Sequence, residues 1–258
     1  MAFWNRNKPV KWTPQGYVGH MRHISFLAGT PPDDNVIVHC GALIERILLD
    51  MKAKKASSMT FNEYVHIIHQ SEYLQLSLLV NTIIPKVVAA YPYVDSGFRW
   101  DIEVKEIYQW PEGYQGLICG VCRGVRVCLF DCFFFKNAGR YFSGVTTSFA
   151  LSAIAYSIVS FEHDNKILSN DFCGFMPASV NEGGGMDEIH FASHVMDVRQ
   201  FSYEGIEMVA YDIPIARPDE KEPLAITVYS YAAVEERRFA IGDRIKGYAW
   251  LFGWAKMS

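Results

Sequence analysis

The spacing of apolar positions changes character near residue 98. Before that point, Asp33 and Asp34 precede Ile37, Cys40, Ile44, Ile47, Leu48 and Met51, the spacing of one apolar helical face. Lys52, Lys54 and Lys55 close the run, so acid at the start and base at the end complement a helix dipole. Thr60-Phe-Asn-Glu63 has the form of a capping box, and apolar positions continue from it through Leu79 to a break at Pro85. Thr13 followed by Pro14 marks a further short helix. Residues 1–97 are therefore expected to form a helical region.

From Phe98 the period becomes that of strands. Val104-Lys-Glu-Ile-Tyr-Gln-Trp110 returns as Val195-Met-Asp-Val-Arg-Gln-Phe201. Tyr141-Phe-Ser-Gly144 is echoed by Arg238-Phe-Ala-Ile-Gly242 ahead of a second alternating run. Cys122-Arg-Gly-Val125 lies between two β-rich runs and predicts a tight hairpin, with Gly124 free to take positive φ. These features predict an α+β chain. A helical region, residues 1–97, is followed by a first unit at 98–163, a linker at 164–186 that contains Gly183-Gly-Gly185, and a second unit at 187–258. A small barrel of the oligonucleotide/oligosaccharide-binding type fits units of this length, because bent alternating strands close on themselves and remove their edges. An SH3-like barrel and a sandwich built jointly by both units are the alternatives. Units this small are marginal alone and are expected to pack on each other and on the helices.

The segments Phe130-Asp-Cys-Phe-Phe-Phe-Lys-Asn137, Tyr141, Gly144, Phe149-Ala-Leu-Ser-Ala-Ile-Ala-Tyr156 and Gly242-Asp-Arg-Ile-Lys-Gly-Tyr-Ala-Trp-Leu-Phe-Gly253 resemble uncharacterised bacterial proteins of unknown function with tandem OB-like units. The resemblance covers residues 98–258. It implies a fold and a bacterial or phage-like origin, and it carries no activity and no functional residue.

Composition changes this picture little. Half the residues are hydrophobic and a fifth are charged, ordinary for a chain with a real core. The amino terminus has no apolar stretch followed by a small-residue cleavage site, and the apolar run Leu76 to Ala90 is interrupted by Asn81, Thr82, Pro85 and Lys86. A core helix, no membrane association and a cytoplasmic location are expected. The net charge of −4, with residues 187–258 more acidic than basic, gives no general attraction for polyanions.

Candidate chemistry is sparse. Cys119, Cys122, Cys128 and Cys132 have zinc-like spacing. Across a hairpin turning at Arg123-Gly124, however, Cys119 faces Cys128 and the four sulfurs need not converge. Buried small side chains are the expected role, and a Cys119–Cys128 disulfide is disfavoured by a reducing compartment. His66 and His69 with Glu63 would share a helical face, His20 and His23 could add a second pair, and His190 and His194 would share one side of a strand. None completes a ligand set, and no metal or cofactor is expected. No nucleophile elbow and no phosphate-binding glycine loop occurs.

One constellation stands out. Along the final strand Arg244, Lys246, Tyr248, Trp250, Phe252 and Trp254 fall on one face, where aromatics could stack bases and basic groups could follow phosphates. The alternative is burial against the rest of the protein. Arg123 and Arg126 on the hairpin are a second candidate surface. The expected function is non-catalytic: protein–protein interaction or assembly in a bacterial or phage-associated complex, with single-stranded nucleic-acid binding through the final strand as the alternative.

Overall fold

The computed structural model describes residues 10–12, 45, 49, 57–69, 73–83, 86–94, 98–161, 172–178, 185–203, 205–218 and 222–255. About two thirds of the described residues are strand, which overturns the expected helical region followed by OB-like barrels. β1 (Val10–Trp12) is followed by an antiparallel four-stranded sheet of β2 (Ser57–Phe61), β3 (Tyr64–His69), β4 (Gln75–Asn81) and β5 (Lys86–Tyr93). The supposed capping box is a turn. Phe61 pairs with Tyr64, and Asn62 between them has φ +50, a conformation asparagine tolerates better than most residues. Most of the helix expected at 33–55 lies outside the described residues, although Glu45 and Leu49 within it are helical. The short helix expected after Thr13 also lies outside them.

The large sheet contains β6 (Arg99–Gln109), β7 (Gly116–Cys122), β8 (Val125–Asp131), β9 (Thr146–Ser160), β10 (Gly174–Pro177), β11 (Glu188–His194), β12 (Asp197–Tyr203), β13 (Ile206–Ala216), β14 (Leu224–Tyr231) and β15 (Arg244–Ala255). Its order is β10-β11-β15-β8-β7-β6-β9-β14-β13-β12, with β1 parallel to β6. A one-turn helix, α1 (Phe134–Asn137), follows β8.

Two long strands explain why no self-contained small barrels form. β9 starts by pairing with β6 of its own meander and then runs parallel to β14 of the other. β15 starts on β11 and ends parallel to β8. The two strands also pair antiparallel from Phe149↔Ala255 to Ser160↔Ile245. Each meander thus borrows its last partner from the other half, and β15-β8-β7-β6-β9 is a closed hydrogen-bonded circuit only because β15 enters it.

The paired positions noted in the sequence sit in matching backbone environments. Gly144 N donates to Val104 O at 2.7 Å and Gly242 N to Val195 O at 2.8 Å, while Val104 N and Val195 N donate to Val145 O and Asp243 O, each at 2.9 Å. Gly144 and Gly242 have φ +86 and +88, which explains glycine at both.

Two cores result. Alternate residues of the long strands, among them Trp100, Phe149, Leu151, Tyr211, Ile226 and Leu251, meet inside the large sheet. Residues of the opposite face, among them Phe130, Ile154, Trp250 and Phe252, pack together with Leu78, Leu79 and Tyr91 of the four-stranded sheet. Gly120 lies where β6 and β7 approach closely. A Cβ there would sit 2.4 Å from Glu103 O and 2.5 Å from Ile102 Cγ2. Gly120→Ala is expected to cost about 1–3 kcal/mol through overpacking, measured by urea unfolding.

Candidate functional site

The face of the large sheet that continues beyond the four-stranded sheet forms an open groove of about 570 Å³. Four strands build it. The cross-strand row Met176–His190–Tyr248–Ser157 makes one side, and Gly174–Ala192–Lys246–Val159 makes the next row. Period-two alternation puts these residues on one face, and the small side chains at Gly174 and Ala192 leave the hollow between their larger neighbours. Phe172 contributes further apolar wall. Met176 and Val159 are among the exposed large hydrophobics, at 63% and 37%.

The polar groups are few and mostly committed. Tyr248 stacks on His190, with ring centroids 4.9 Å apart and planes 26° apart, and on its other side approaches Tyr156 at 5.1 Å. The Tyr248 hydroxyl donates to Glu188 Oε2, which also accepts from Gly185 N at 2.6 Å. Burial, reinforced by the Glu188 carboxylate, pushes the Tyr248 phenol above its ordinary value, and the same effects raise the Tyr156 phenol too. Both phenols are therefore neutral hydrogen-bond donors near neutral pH. Lys246 is exposed, with its ammonium 5.9 Å from the Phe161 ring centre and no carboxylate partner among the described residues.

The final strand divides between surface and core. Arg244, Lys246 and Tyr248 reach the surface at least in part, whereas Trp250, Phe252 and Trp254 are 0%, 1% and 7% exposed. The expectation that all six form one binding stripe is corrected for the last three. They lie under the four-stranded sheet, where Trp250 Nε1 donates to Asp187 Oδ2 at 2.7 Å and Trp254 Nε1 to Val94 O at 3.1 Å. Arg123 and Arg126 are exposed on the β7–β8 hairpin, and Arg123 donates to Glu222 O at 2.8 Å. That bond ties the hairpin tip to the segment before β14.

The metal candidates separate. Cys119 and Cys128 face each other as expected, and they form a disulfide with Cα atoms 4.0 Å apart, contrary to the expectation of reduced thiols. Neither is then a thiolate ligand. Cys122 and Cys132 are buried free thiols whose ionisation burial disfavours. His66 lies on β3, where positions three apart belong to opposite faces, so it cannot form a helical pair with His69. It is buried, hydrogen-bonded to Ser77 Oγ at 2.7 Å and packed edge-on to Phe133 and Phe135; desolvation lowers its pKa to about 3. His20 and His23 lie outside the described residues. His190 and His194 share a face of β11, but four residues of strand separate them by about 13 Å. No group of three or more metal-ligating side chains occurs among the described residues.

Nor does the groove assemble a nucleophile and base. Its serine and histidine, Ser157 and His190, are separated by the intervening β15, about 9.6 Å at ordinary strand spacing and beyond hydrogen-bond reach. Sequence reasoning reached Lys246, Tyr248 and His190 through strand alternation but missed the hollow, because Gly174 and Ala192 become neighbours only through pairing of β10 with β11. Comparison with known protein families, curated proteins and solved structures gives no match. No helix among the described residues is long and apolar enough to cross a membrane, and the apolar run once expected as a core helix is divided between β4 and β5.

Proposed function

We propose that the protein acts by binding another protein within an assembly, and that the groove on β10, β11, β15 and β9 is its contact surface. The observation that carries this reading is the exposed apolar hollow beside the Lys246 ammonium, which has no carboxylate partner among the described residues. The groove's exposed Met176 and part-exposed Tyr248 suit such a surface, because interface cores favour aromatic and methionine side chains. Single-stranded nucleic acid is the weaker reading. With Trp250, Phe252 and Trp254 buried, the aromatic platform of the final strand shrinks to Tyr248, and the net charge of −4 supplies no general attraction for phosphates.

The test compares wild type with Met176→Asp and with Arg123→Glu as an off-site control. Wild type and the hairpin variant are expected to retain the same protein at fixed stoichiometry from native extract, and Met176→Asp is expected to lose it. Melting curves establish that each variant is folded. Binding of single-stranded DNA or RNA that weakens steeply with salt and is lost in Met176→Asp would replace this reading by the second.

A further inference from the structure

We infer that the groove receives an extended partner segment that places a large apolar side chain over the Gly174–Ala192 hollow and an acidic side chain, two residues away, against Lys246. This rests on the protein-binding reading and names the chemistry of the partner.

The geometry sets the spacing. Ala192 and Lys246 are direct neighbours across β11 and β15, and Gly174 is one strand further out. At about 4.8 Å per strand, the backbone positions of the hollow and of Lys246 are about 5–10 Å apart. In an extended peptide, residues i and i+2 project on the same side about 6.6 Å apart, which spans that interval, whereas adjacent residues project on opposite sides. A segment lying across these strands can therefore fill the hollow and meet the ammonium with alternate side chains.

Charge fixes the sign. Lys246 has no carboxylate partner among the described residues; of the acids around it, Glu188 is held by the Tyr248 hydroxyl and Gly185 N, and Glu236, across β9, accepts from Ser160 N at 2.7 Å. An incoming acid thus meets a cation that has no ion pair with the described residues. The hollow selects an apolar group because Gly174 and Ala192 offer no side-chain hydrogen bond, and Met176 and Phe172 border it. One lysine suits a single carboxylate better than a polyphosphate chain, which needs a succession of cations along its path.

The test uses the full chain and capped pentapeptides Ser-Phe-Ser-Asp-Ser, Ser-Phe-Ser-Lys-Ser and Ser-Ala-Ser-Asp-Ser, with a short oligothymidylate as the nucleic-acid arm. Backbone amide shifts of Gly174, Ala192 and Gly247 report occupancy. The Phe/Asp peptide is expected to bind about three- to tenfold more tightly than either other peptide, as an exposed ion pair or an apolar anchor allows. Lys246→Glu is expected to invert the preference toward the Phe/Lys peptide, a result that loss of folding cannot produce. Ala192→Trp, with its fold checked by the rest of the amide spectrum, is expected to abolish binding of all three.

Equal binding of the Phe/Asp and Phe/Lys peptides at these amides would overturn the acidic assignment while leaving the groove a protein-binding surface. Stronger shifts from oligothymidylate than from every peptide would overturn it in favour of nucleic acid. If no peptide moves these amides and Ala192→Trp still retains the native partner, the protein-binding assignment of the groove fails as well.

Discussion

Replacing Trp250 and Trp254 together with alanine is expected to remove most or all of the protein's folding stability rather than only its binding. Trp250 is fully buried. Its ring stacks on Phe252 at 4.7 Å and approaches Phe130 at 5.5 Å, and its indole nitrogen donates to buried Asp187. Trp254 packs against Phe133 and Tyr93, receives the Arg99 guanidinium over its ring at 5.2 Å and donates to Val94 O across to the four-stranded sheet. Truncating a core tryptophan costs about 3–5 kcal/mol, and a buried polar atom that loses its partner costs about 1–3 kcal/mol more. Four residues apart on one strand, the sites are separated by about 13 Å, far enough for their costs to add approximately. The sum, at least about 6 kcal/mol, is comparable with the whole stability of an ordinary domain, about 5–15 kcal/mol. Urea unfolding followed by circular dichroism measures it. A double variant that loses less than about 2 kcal/mol would mean that the two rings do not join the sheets.

The same strand shows what the sequence revealed and what it concealed. Alternation correctly groups Lys246, Tyr248, Trp250, Phe252 and Trp254 on one face, but alternation says nothing about what covers that face. The cover is the four-stranded sheet, whose residues 57–93 look helical in sequence because Leu76, Ser77, Leu78 and Leu79 are all buried. A strand buried on both sides loses its period of two, and its continuous apolar run then satisfies helical spacing equally well. Misreading the cover and misplacing the aromatic stripe are therefore one error.

Local chemistry was more legible. The turn at Arg123-Gly124 has φ +50 and +84 in the structure, and the register places Cys122 opposite Val125. The Val104–Gly144 and Val195–Gly242 bonds likewise coincide with the two echoes in the sequence. The exchange of β9 and β15 between halves was not legible. Each strand's first part matches its own meander, and nothing in the alternating pattern records that its later part pairs with strands about 75 to 120 residues away. The groove was concealed for the same reason, since only β15 and β11 carried recognisable candidates.

The second large effect is a pair of opposing pH dependences built around α1. Asp131 at the end of β8 accepts from Tyr141 Oη at 2.6 Å and from Phe133 N at 2.9 Å, but complete burial outweighs these bonds and raises its pKa from 3.8 to about 7. Between about pH 4 and pH 7 the folded state retains a proton that the unfolded chain has released. Stability from Asp131 is therefore full below about pH 4 and is lost as pH rises through 7. His66, wedged against Phe133 and Phe135 on either side of α1's first residue, has the reverse behaviour. Its pKa falls from 6.5 to about 3, so the unfolded chain binds the extra proton, and its contribution is full above about pH 6.5 and lost as pH falls toward 3. Each shift of about three units corresponds to about 4 kcal/mol across its window. Between about pH 4 and pH 6.5 the two proton differences have opposite sign and cancel, so single substitutions expose them. Asp131→Asn is expected to gain stability relative to wild type as pH rises from 4 to 7, and His66→Gln to gain relative to wild type as pH falls over the same range. Urea unfolding at successive pH values measures both differences. A wild-type-minus-Asp131→Asn difference that stays constant from about pH 4 to pH 7 would show that Asp131 titrates alike in the folded and unfolded chains. The carboxyl would then have access to solvent or a countercharge, contrary to its enclosure behind α1.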